Sequence, residues 1–491
     1  MQTTIVIFAL ALLQGTLCAQ PAPFDPNSAR PLLWDERELN KITLPPALPE
    51  GKILYLPSDA YYKLKPLPIY KTYPVYDSGH EPKGYFDALR LKEPEVMFDP
   101  QKLHTDADWQ RAGKLVFEAP TDFAPADTIH DAAWFRTISP PTTREGIVPA
   151  YSYVIRKKGV IEVGSGACAN CHSRVLPDGT YLPGAQGNFP FDRAYAESLR
   201  REHPARVPAR LASNLIMSAI DKARWTEHLY ERSDQEIIAV SAAMIPGIAM
   251  RAGFSYLDPA KIADLIGVRD RRYLDLTVRL EHRSLADIAR YGITCWASNY
   301  FFSPSNAIPA DEIAAVADSM RYSDEAAYAF ALYVYSLQPP PNPNRPDALT
   351  RKGEAVFQRE GCPVCHTPPL YTNNKILPAG DFRPPPDHRT KYDILNAHIG
   401  LDPAAATKSL RGRGYYKVPS LKGVWYRGPF VHNGTIATLD DWFDPRRLRA
   451  DYVPTGYRAY GVKQRPVPGH PFGLSLKADD KRALIAFLRT L

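Results

Sequence analysis

The stretch GACANCHSR, residues 166–174, places Cys168, Cys171 and His172 within five positions of a chain that has only six cysteines. GCPVCHT, residues 361–367, repeats the spacing with Cys362, Cys365 and His366. With 6 Cys and 12 His in 491 residues, one C-x-x-C-H should arise by chance about 0.002 times per chain, so two copies are a pattern. Two thiols at this spacing lie on neighbouring faces of one helical turn, where each can form a thioether with one vinyl group of a haem. The histidine that follows is then held against the iron as an axial ligand. The pattern therefore reads as two covalently bound c-type haems. A Cys₄ zinc site would join pairs almost two hundred residues apart and gives no reason for a histidine after each. A redox dithiol normally sits in a β-α-β pattern, which neither copy shows.

Haem attachment of this kind belongs to exported bacterial proteins, and the N-terminus MQTTIVIFALALLQGTLCAQ fits export. It has an apolar run from Ile5 to Leu13 and small residues near Cys18 and Ala19, as a signal peptide over 1–19 does. No Lys or Arg precedes Arg30, so the usual positive leader is missing. Leu17 is bulky where a lipoprotein signal needs a small residue. The run is too short to span a bilayer, and no other stretch approaches eighteen apolar residues. A periplasmic or secreted protein with no transmembrane segment in its mature form is expected. With Cys18 removed, Cys295 is the one thiol outside the two motifs, which argues against a disulfide framework.

Hydrophobic residues make up 45% of the chain, enough for real cores in two or three domains. The formal charge of +7 falls to about +3 once two haems bring their propionates. Basic residues are spread along the chain rather than clustered, so nucleic acid is not an expected partner. The 48 prolines are about twice the usual share and mark the organisation. From residue 20 to 104 the chain is rich in Pro and Tyr with little helical periodicity, and reads as an extended, wrapping segment. QPPPNPNRP, 338–346, follows the helical stretch DEAAYAFALYVYSL and cannot continue it. It separates a first haem domain over 105–340 from a second over 345–491.

A repeat supports that division. RKGEAVFQ, 351–358, shares Arg, Gly, Val and Phe with RAGKLVFE, 111–118. Gly353 and Phe357, and likewise Gly113 and Phe117, sit one turn apart on a helix. The closing stretch LSLKADDKRALIAFLRTL sets Leu484, Phe487, Leu488 and Leu491 on one helix face, the expected partner of the Gly353 helix. AYSYVIRKKGVIEVG alternates about a Lys-Gly turn and predicts a small β-hairpin inserted in the first domain. The fold expected is mainly α, two cytochrome-c-type domains with these additions.

YKVPSLKGVWYRGPFVHNGTIATLDDWFD, 416–444, with GHPFGLSLKADDKRALIAFLRTL after it, resembles the C-terminal domain of the bacterial diheme cytochrome c peroxidase superfamily. That superfamily also includes the diheme enzyme that matures methylamine dehydrogenase, and the rubber oxygenases. The resemblance is specific over 351–491 and at both haem motifs. It is looser over 105–340, where LIGVRDRRYLDLTVRLEHRSLADIARYG, 265–292, is similar to the rubber-oxygenase-like branch. It implies calcium as a candidate ion between the domains, and a small cytochrome or copper protein as redox partner.

The six methionines are 1, 97, 217, 244, 250 and 320, none of them in the second domain. Where peroxidases of the resembled family can carry a Met ligand, just before H-N-G, this chain has Val431. His432 is therefore the first choice as distal ligand of the second haem, with His398 and His470 next; its bland alternative is a bond to a propionate or carbonyl. For the first haem the candidates are His203, His228, His282, Met217, Met244 and Met250, or no protein ligand. His282 is the distal-pocket residue to test first, against the reading of a buried structural histidine. Phe301 and Phe302 are candidates to line that pocket, and Trp225 or Trp296 to bridge the haems. Three functions follow. One is an oxidoreductase in which the second haem relays electrons to the first for peroxide reduction. The others are an oxygenase of the rubber-cleaving kind, acting with dioxygen, and a plain electron carrier.

Overall fold

The computed structural model describes residues 32–47, 52–129, 131–202, 233–250, 259–295, 300–303, 320–409 and 411–491. The signal-like N-terminus, Cys18, His203, Met217, Trp225, His228 and Trp296 lie outside them.

Two helix pairs repeat one packing solution. The Asp106–Glu118 helix starts at a capping box between Thr105 and Asp108, and the Asp324–Ser336 helix starts at a Ser323 cap. They cross at Gly113, where an added Cβ would lie 2.0 Å from the Ala329 carbonyl oxygen and 2.7 Å from Tyr333 Cβ. Phe117 then meets Tyr333, ring centres 5.4 Å apart. In the second half the Ala348–Arg359 helix, boxed by Asp347 and Thr350, crosses the Ala478–Arg489 helix at Gly353. A Cβ there would lie 1.9 Å from the Ala483 carbonyl oxygen and 2.7 Å from Phe487 Cβ, and Phe357 meets Phe487 at 5.3 Å. Ala329 and Tyr333 thus match Ala483 and Phe487, four residues apart on each partner helix. Only glycine permits so close an approach of two helix backbones.

The fold is not mainly α. It is 35% helical and 15% strand, and the strands form small sheets. The predicted hairpin is present as Ile147–Lys157 and Val160–Ser165, turning through Gly159 at φ +83°. It is the centre of a four-stranded antiparallel sheet, flanked by Thr72–Tyr76 on one side and Asp122–Pro125 on the other. Val75, Trp134, Tyr153 and Ile155 fill the core beneath it. Helical periodicity underestimates this part because Pro and Tyr pair well at strand edges and poorly in helices.

The Pro/Tyr-rich segment wraps, but it is not simply extended. It contains the Glu36–Ile42 helix, capped by Asp35, and its Lys65–Pro66 strand pairs in parallel with Met320–Arg321. Trp34 stacks on Tyr61 at 4.6 Å, and its indole N–H donates to the Leu56 carbonyl at 2.7 Å. Leu33, Trp34, Leu39 and Ile42 are buried in the same core as Phe117, Phe330 and Tyr426. That core therefore draws on all three stretches of chain. Residues 338–346 carry neither helix nor strand. Among the described residues no helix is long and apolar enough to cross a membrane.

Candidate haem sites

Each C-x-x-C-H motif sits on one tight turn. Cys168–Cys171 is a single helical turn and Cys362–Val364 a 3₁₀ turn entered from Gly361 at φ +72°. In both, the His N–H donates to the first Cys carbonyl at 2.9 Å, His172 to Cys168 and His366 to Cys362. That bond sets the ring just beyond the two thiols. None of the five described cysteines is in a disulfide. Burial pushes the Cys168 thiol up to about 12 and that of Cys362 to about 11, so neither is a thiolate. Among the described residues no three His, Cys, Asp or Glu converge as an ion site.

Both motif histidines share a polar arrangement. His172 Nδ1 donates to the Ala263 carbonyl at 2.8 Å and His366 Nδ1 to the Tyr371 carbonyl at 3.2 Å. A carbonyl only accepts, so each Nδ1 carries a proton. This is the tautomer that a metal-ligating histidine adopts. Burial pushes His366 below the ordinary histidine range, which keeps the ring neutral. The residues present therefore fit a haem at each motif: two thiols, then an imidazole held through Nδ1 by a backbone carbonyl.

Opposite His366 stands His470, ring centres 6.4 Å apart and planes 50° apart. The His470 main chain is pinned at φ +48°, its N–H on the Ile399 carbonyl at 2.6 Å and its carbonyl on Arg447 Nη2 at 2.8 Å. Trp442 and Phe472 pack on the ring at 5.2 and 5.3 Å, and its buried Nδ1 has no hydrogen-bond partner. Burial, then His366 and Arg447 nearby, lower its pKa to about 4.

His432, first choice from the sequence, is placed differently. Its ring lies flat on Tyr416, centres 5.1 Å apart and planes 17° apart. Its carbonyl accepts from Lys261 N at 2.7 Å. The loop before it is clamped by Gln186, whose Nε2 donates to the Gly247 and Pro429 carbonyls at 3.1 and 3.2 Å. His398 is exposed. The candidate brought to His366 is thus His470, because the Gly469-His470 turn reaches the haem motif.

For the first site, His282 has both ring nitrogens engaged: Nδ1 with the Arg271 carbonyl and Nε2 with the Tyr335 hydroxyl, each at 2.5 Å. That is the structural histidine of the bland reading, with no nitrogen left for a ligand. Met244 is buried in an apolar cluster with Ile237, Val240 and Tyr457, and Met250 is half-buried beside it. Phe301 and Phe302 are described only as a backbone strand pairing with Ile53 and Leu54.

Sequence reasoning missed the charged seam that joins the halves. The Tyr426 hydroxyl donates to Asp264 Oδ2 at 3.0 Å, and Arg427 Nε lies 3.3 Å from the same oxygen. Arg271 donates to the Asp264 carbonyl and, at 2.8 Å, to that of Ile266. Asp264 directly follows Ala263, the acceptor for His172, so seam and motif share one backbone segment. These residues fall in no short motif, and no pattern in the sequence could have grouped them.

Comparison with known proteins gives partial likenesses. The chain is 30% identical over 162 residues to the cytochrome-c peroxidase IdrP1 of Denitromonas iodatirespirans, covering 29% of this chain and 40% of that protein. IdrP1 of a Pseudomonas species (strain SCT) is 28% identical over 168 residues, 30% of this chain and 41% of the relative. The match thus spans about two fifths of the length of these curated relatives. A solved hydrazine synthase of Kuenenia stuttgartiensis is 14% identical, with a TM-score of 0.30 over 58% of this chain and 94% of that one. A score this low defines no common fold. No family model matches the chain. The sequence is cytochrome-c-peroxidase-like over the matched part.

Proposed function

We propose that this chain is an exported diheme c-type cytochrome, a peroxidase-like oxidoreductase in which the second haem site takes electrons from a small cytochrome or copper protein and passes them to the first, where peroxide is reduced. The observation that carries the reading is the pairing of two C-x-x-C-H motifs, each with its histidine Nδ1 on a backbone carbonyl, with His470 facing one of them. The likeness to proteins named cytochrome-c peroxidase supports the same class. Bound haem would supply the one-electron chemistry.

The chain's own residues divide the work. Cys168 and Cys171 would hold the first group and Cys362 and Cys365 the second. The carbonyls of Ala263 and Tyr371 fix the proton on Nδ1 of His172 and His366 and so aim Nε2. His470 would close the second site with a neutral nitrogen. A site closed on both sides suits electron transfer and leaves substrate chemistry to the first site. His282, with both nitrogens occupied, serves as a positioning residue for the Arg271 turn.

The test has two arms. The mature protein made in a host that attaches c-type haem should exceed its chain mass by about 1.2 kDa, two haems of roughly 616 Da each. Steady-state turnover with hydrogen peroxide and a reduced small cytochrome should follow. A bare-chain mass sinks the cofactor assignment. Loaded protein that turns over polyisoprene with dioxygen, and not peroxide, belongs instead with the rubber-cleaving branch. Loaded protein inert to both is an electron carrier.

A further inference from the structure

The hydrogen bond between His282 and Tyr335 has a fixed direction. His282 Nδ1 faces the Arg271 carbonyl at 2.5 Å, and a carbonyl only accepts, so Nδ1 carries a proton. Burial pushes the ring below the ordinary histidine range and keeps it neutral, against the opposing effects of the Arg271 bond and the Asp287 carboxylate. A neutral imidazole holds one ring proton, so Nε2 is the acceptor and the Tyr335 hydroxyl, 2.5 Å away, donates to it. Burial raises the Tyr335 pKa above its ordinary value, so the phenol keeps its proton at rest. A protonated phenol thus leans on a neutral base, ring centres 5.7 Å apart.

Two features set this pair apart from a bond that merely satisfies two buried groups. It is tied to the first motif from both of its members. The Arg271 guanidinium donates to the carbonyls of Asp264 and, at 2.8 Å, Ile266, and Asp264 follows Ala263, whose carbonyl takes Nδ1 of His172 at 2.8 Å. On the tyrosine side, Leu337 packs on Gly184, where a Cβ would lie 2.4 Å from Leu337 Cδ1, and the Gly184 N–H donates to the His172 carbonyl at 2.7 Å. The second feature is placement: Tyr335 lies on the last turn of the Asp324–Ser336 helix and is partly exposed, so the pair stands between the motif and the surface. Other tyrosines differ. Tyr426 donates to Asp264 at 3.0 Å, but that carboxylate lies 3.3 Å from Arg427, and a carboxylate is the weaker base, with an ordinary pKa of roughly 4 against roughly 6.5 for imidazole. Tyr181 shares its hydroxyl with that of Ser173, which is no base. Tyr415 has His388 Nδ1 at 2.8 Å, yet that pair packs among Tyr392 and Phe382 and shares no residue with the path to His172.

We propose that Tyr335 is a redox-active tyrosine, a one-electron relay between the first haem site and the surface, and that His282 is the base that takes and returns its proton. In the forward step the Tyr335 O–H bond breaks and an N–H bond forms at His282 Nε2. One electron leaves the phenol for the oxidising equivalent that peroxide leaves at the first site. In the return step a one-electron reductant of the hydroquinone class, at the surface, restores the phenol while His282 gives the proton back. His282 keeps its Nδ1 bond to Arg271 throughout, so the transfer needs no movement of the ring. The proposal rests on the haem reading of the first motif, and the pair itself needs no peroxidase turnover.

The experiment freezes the haem-loaded protein after mixing with hydrogen peroxide and records its electron paramagnetic resonance, for the parent and for Tyr335→Phe, His282→Gln, Tyr415→Phe and Tyr426→Phe. The parent should show a tyrosyl radical whose lines narrow in deuterium oxide, because the His282 N–H bonded to the phenoxyl oxygen exchanges. Tyr335→Phe should lose that signal, and Tyr415→Phe and Tyr426→Phe should keep it. Glutamine can still donate to the Arg271 carbonyl but takes no proton, so the radical in His282→Gln should form roughly a hundredfold more slowly. Its rate should also rise with buffer concentration, which loss of a merely structural bond would not cause. An undiminished signal in Tyr335→Phe, or a parent-like rate in His282→Gln, overturns the relay. If His282→Gln does not fold, the deuterium effect in the parent decides, and its absence overturns the pair. A parent silent with peroxide is oxidised instead by a flash-generated ruthenium(III) polypyridyl. A radical lost in Tyr335→Phe then keeps the pair and removes peroxide as its oxidant; no such radical overturns the pair. Turnover with peroxide is scored separately, so normal turnover without a Tyr335 radical from either oxidant keeps the peroxidase reading and loses the relay.

Discussion

The imidazoles of His366 and His470 face each other with ring centres 6.4 Å apart, although the two residues lie more than a hundred positions apart in the chain. Neither ring reaches this place by its own packing preference. His366 is carried there by the C-x-x-C turn, and His470 by a main chain held in the left-handed region at φ +48°. A non-glycine residue in that conformation costs of the order of 1–3 kcal/mol and persists where its surroundings over-determine it. Here the bonds to Ile399 and Arg447 do so.

On the proposed diheme reading, His470→Ala should therefore convert the second haem from low spin to high spin and let it bind carbon monoxide or cyanide. His432→Ala should leave it low spin, because that ring is stacked on Tyr416. Electron paramagnetic resonance of the two oxidised variants decides. A high-spin second haem in His432→Ala with an unchanged signal in His470→Ala would reverse the assignment.

The helix crossings give a stability prediction. Gly353→Ala puts a Cβ 1.9 Å from the Ala483 carbonyl oxygen, and Gly113→Ala one 2.0 Å from that of Ala329. Each neighbour is helix backbone, which cannot swing aside as a side chain can. The gain in helix propensity, about 1 kcal/mol, is smaller than the overpacking cost of about 3 kcal/mol. Both variants should unfold at lower denaturant concentration than the parent, by similar amounts if the crossings are equivalent. A neutral Gly113→Ala beside a damaging Gly353→Ala would mean that the repeat is one of sequence and not of packing.

Much of this was legible because it is local or periodic. The Gly-Phe spacing and the apolar face with Leu484 and Phe487 define the second helix pair before any coordinates. The alternation about Lys158-Gly159 defines the hairpin. What escaped is long-range. No periodicity says that Thr72–Tyr76 will flank that hairpin, or that a Pro/Tyr-rich arm will bury Trp34 against Tyr61. The choice of His432 over His470 followed a family position and the lack of a second-domain methionine, whereas loop geometry sets the facing pair. The seam of Asp264 with Tyr426 and Arg427 joins residues over 150 positions apart, and single-chain reading has no signal for it.

Asp192 should make stability depend on pH. It is buried, 3% exposed, and holds the Met250 N–H at 3.0 Å. Burial raises its pKa from 3.8 to about 7, against the opposing effect of that hydrogen bond. Between these values the folded state binds the proton that the unfolded state has released. This contribution is complete below pH 3.8 and is lost as pH rises through 7, on the order of 2–4 kcal/mol. Asp192→Asn, neutral throughout, should therefore be about as stable as the parent at pH 3.5 and more stable at pH 8. Denaturant midpoints at the two values check it, and a parent that gains stability over the variant on going to pH 8 contradicts the assignment.

The last prediction separates the two haem sites. Cys362→Ser with Cys365→Ser removes both thioethers of the second site and leaves Cys168 and Cys171 untouched. The mass of the exported protein should fall by roughly 616 Da, one haem, relative to the parent. If the second site is where electrons enter, turnover with peroxide and a reduced cytochrome should fall at least a hundredfold, while peroxide still perturbs the spectrum of the remaining haem. The matching change, Cys168→Ser with Cys171→Ser, should also abolish turnover, yet leave a low-spin haem between His366 and His470 that a reduced cytochrome still reduces. The order of electron flow rests on this asymmetry. A Cys362/Cys365 variant that keeps full turnover with the protein donor would show that electrons enter at the first site, and the second would then be a structural haem.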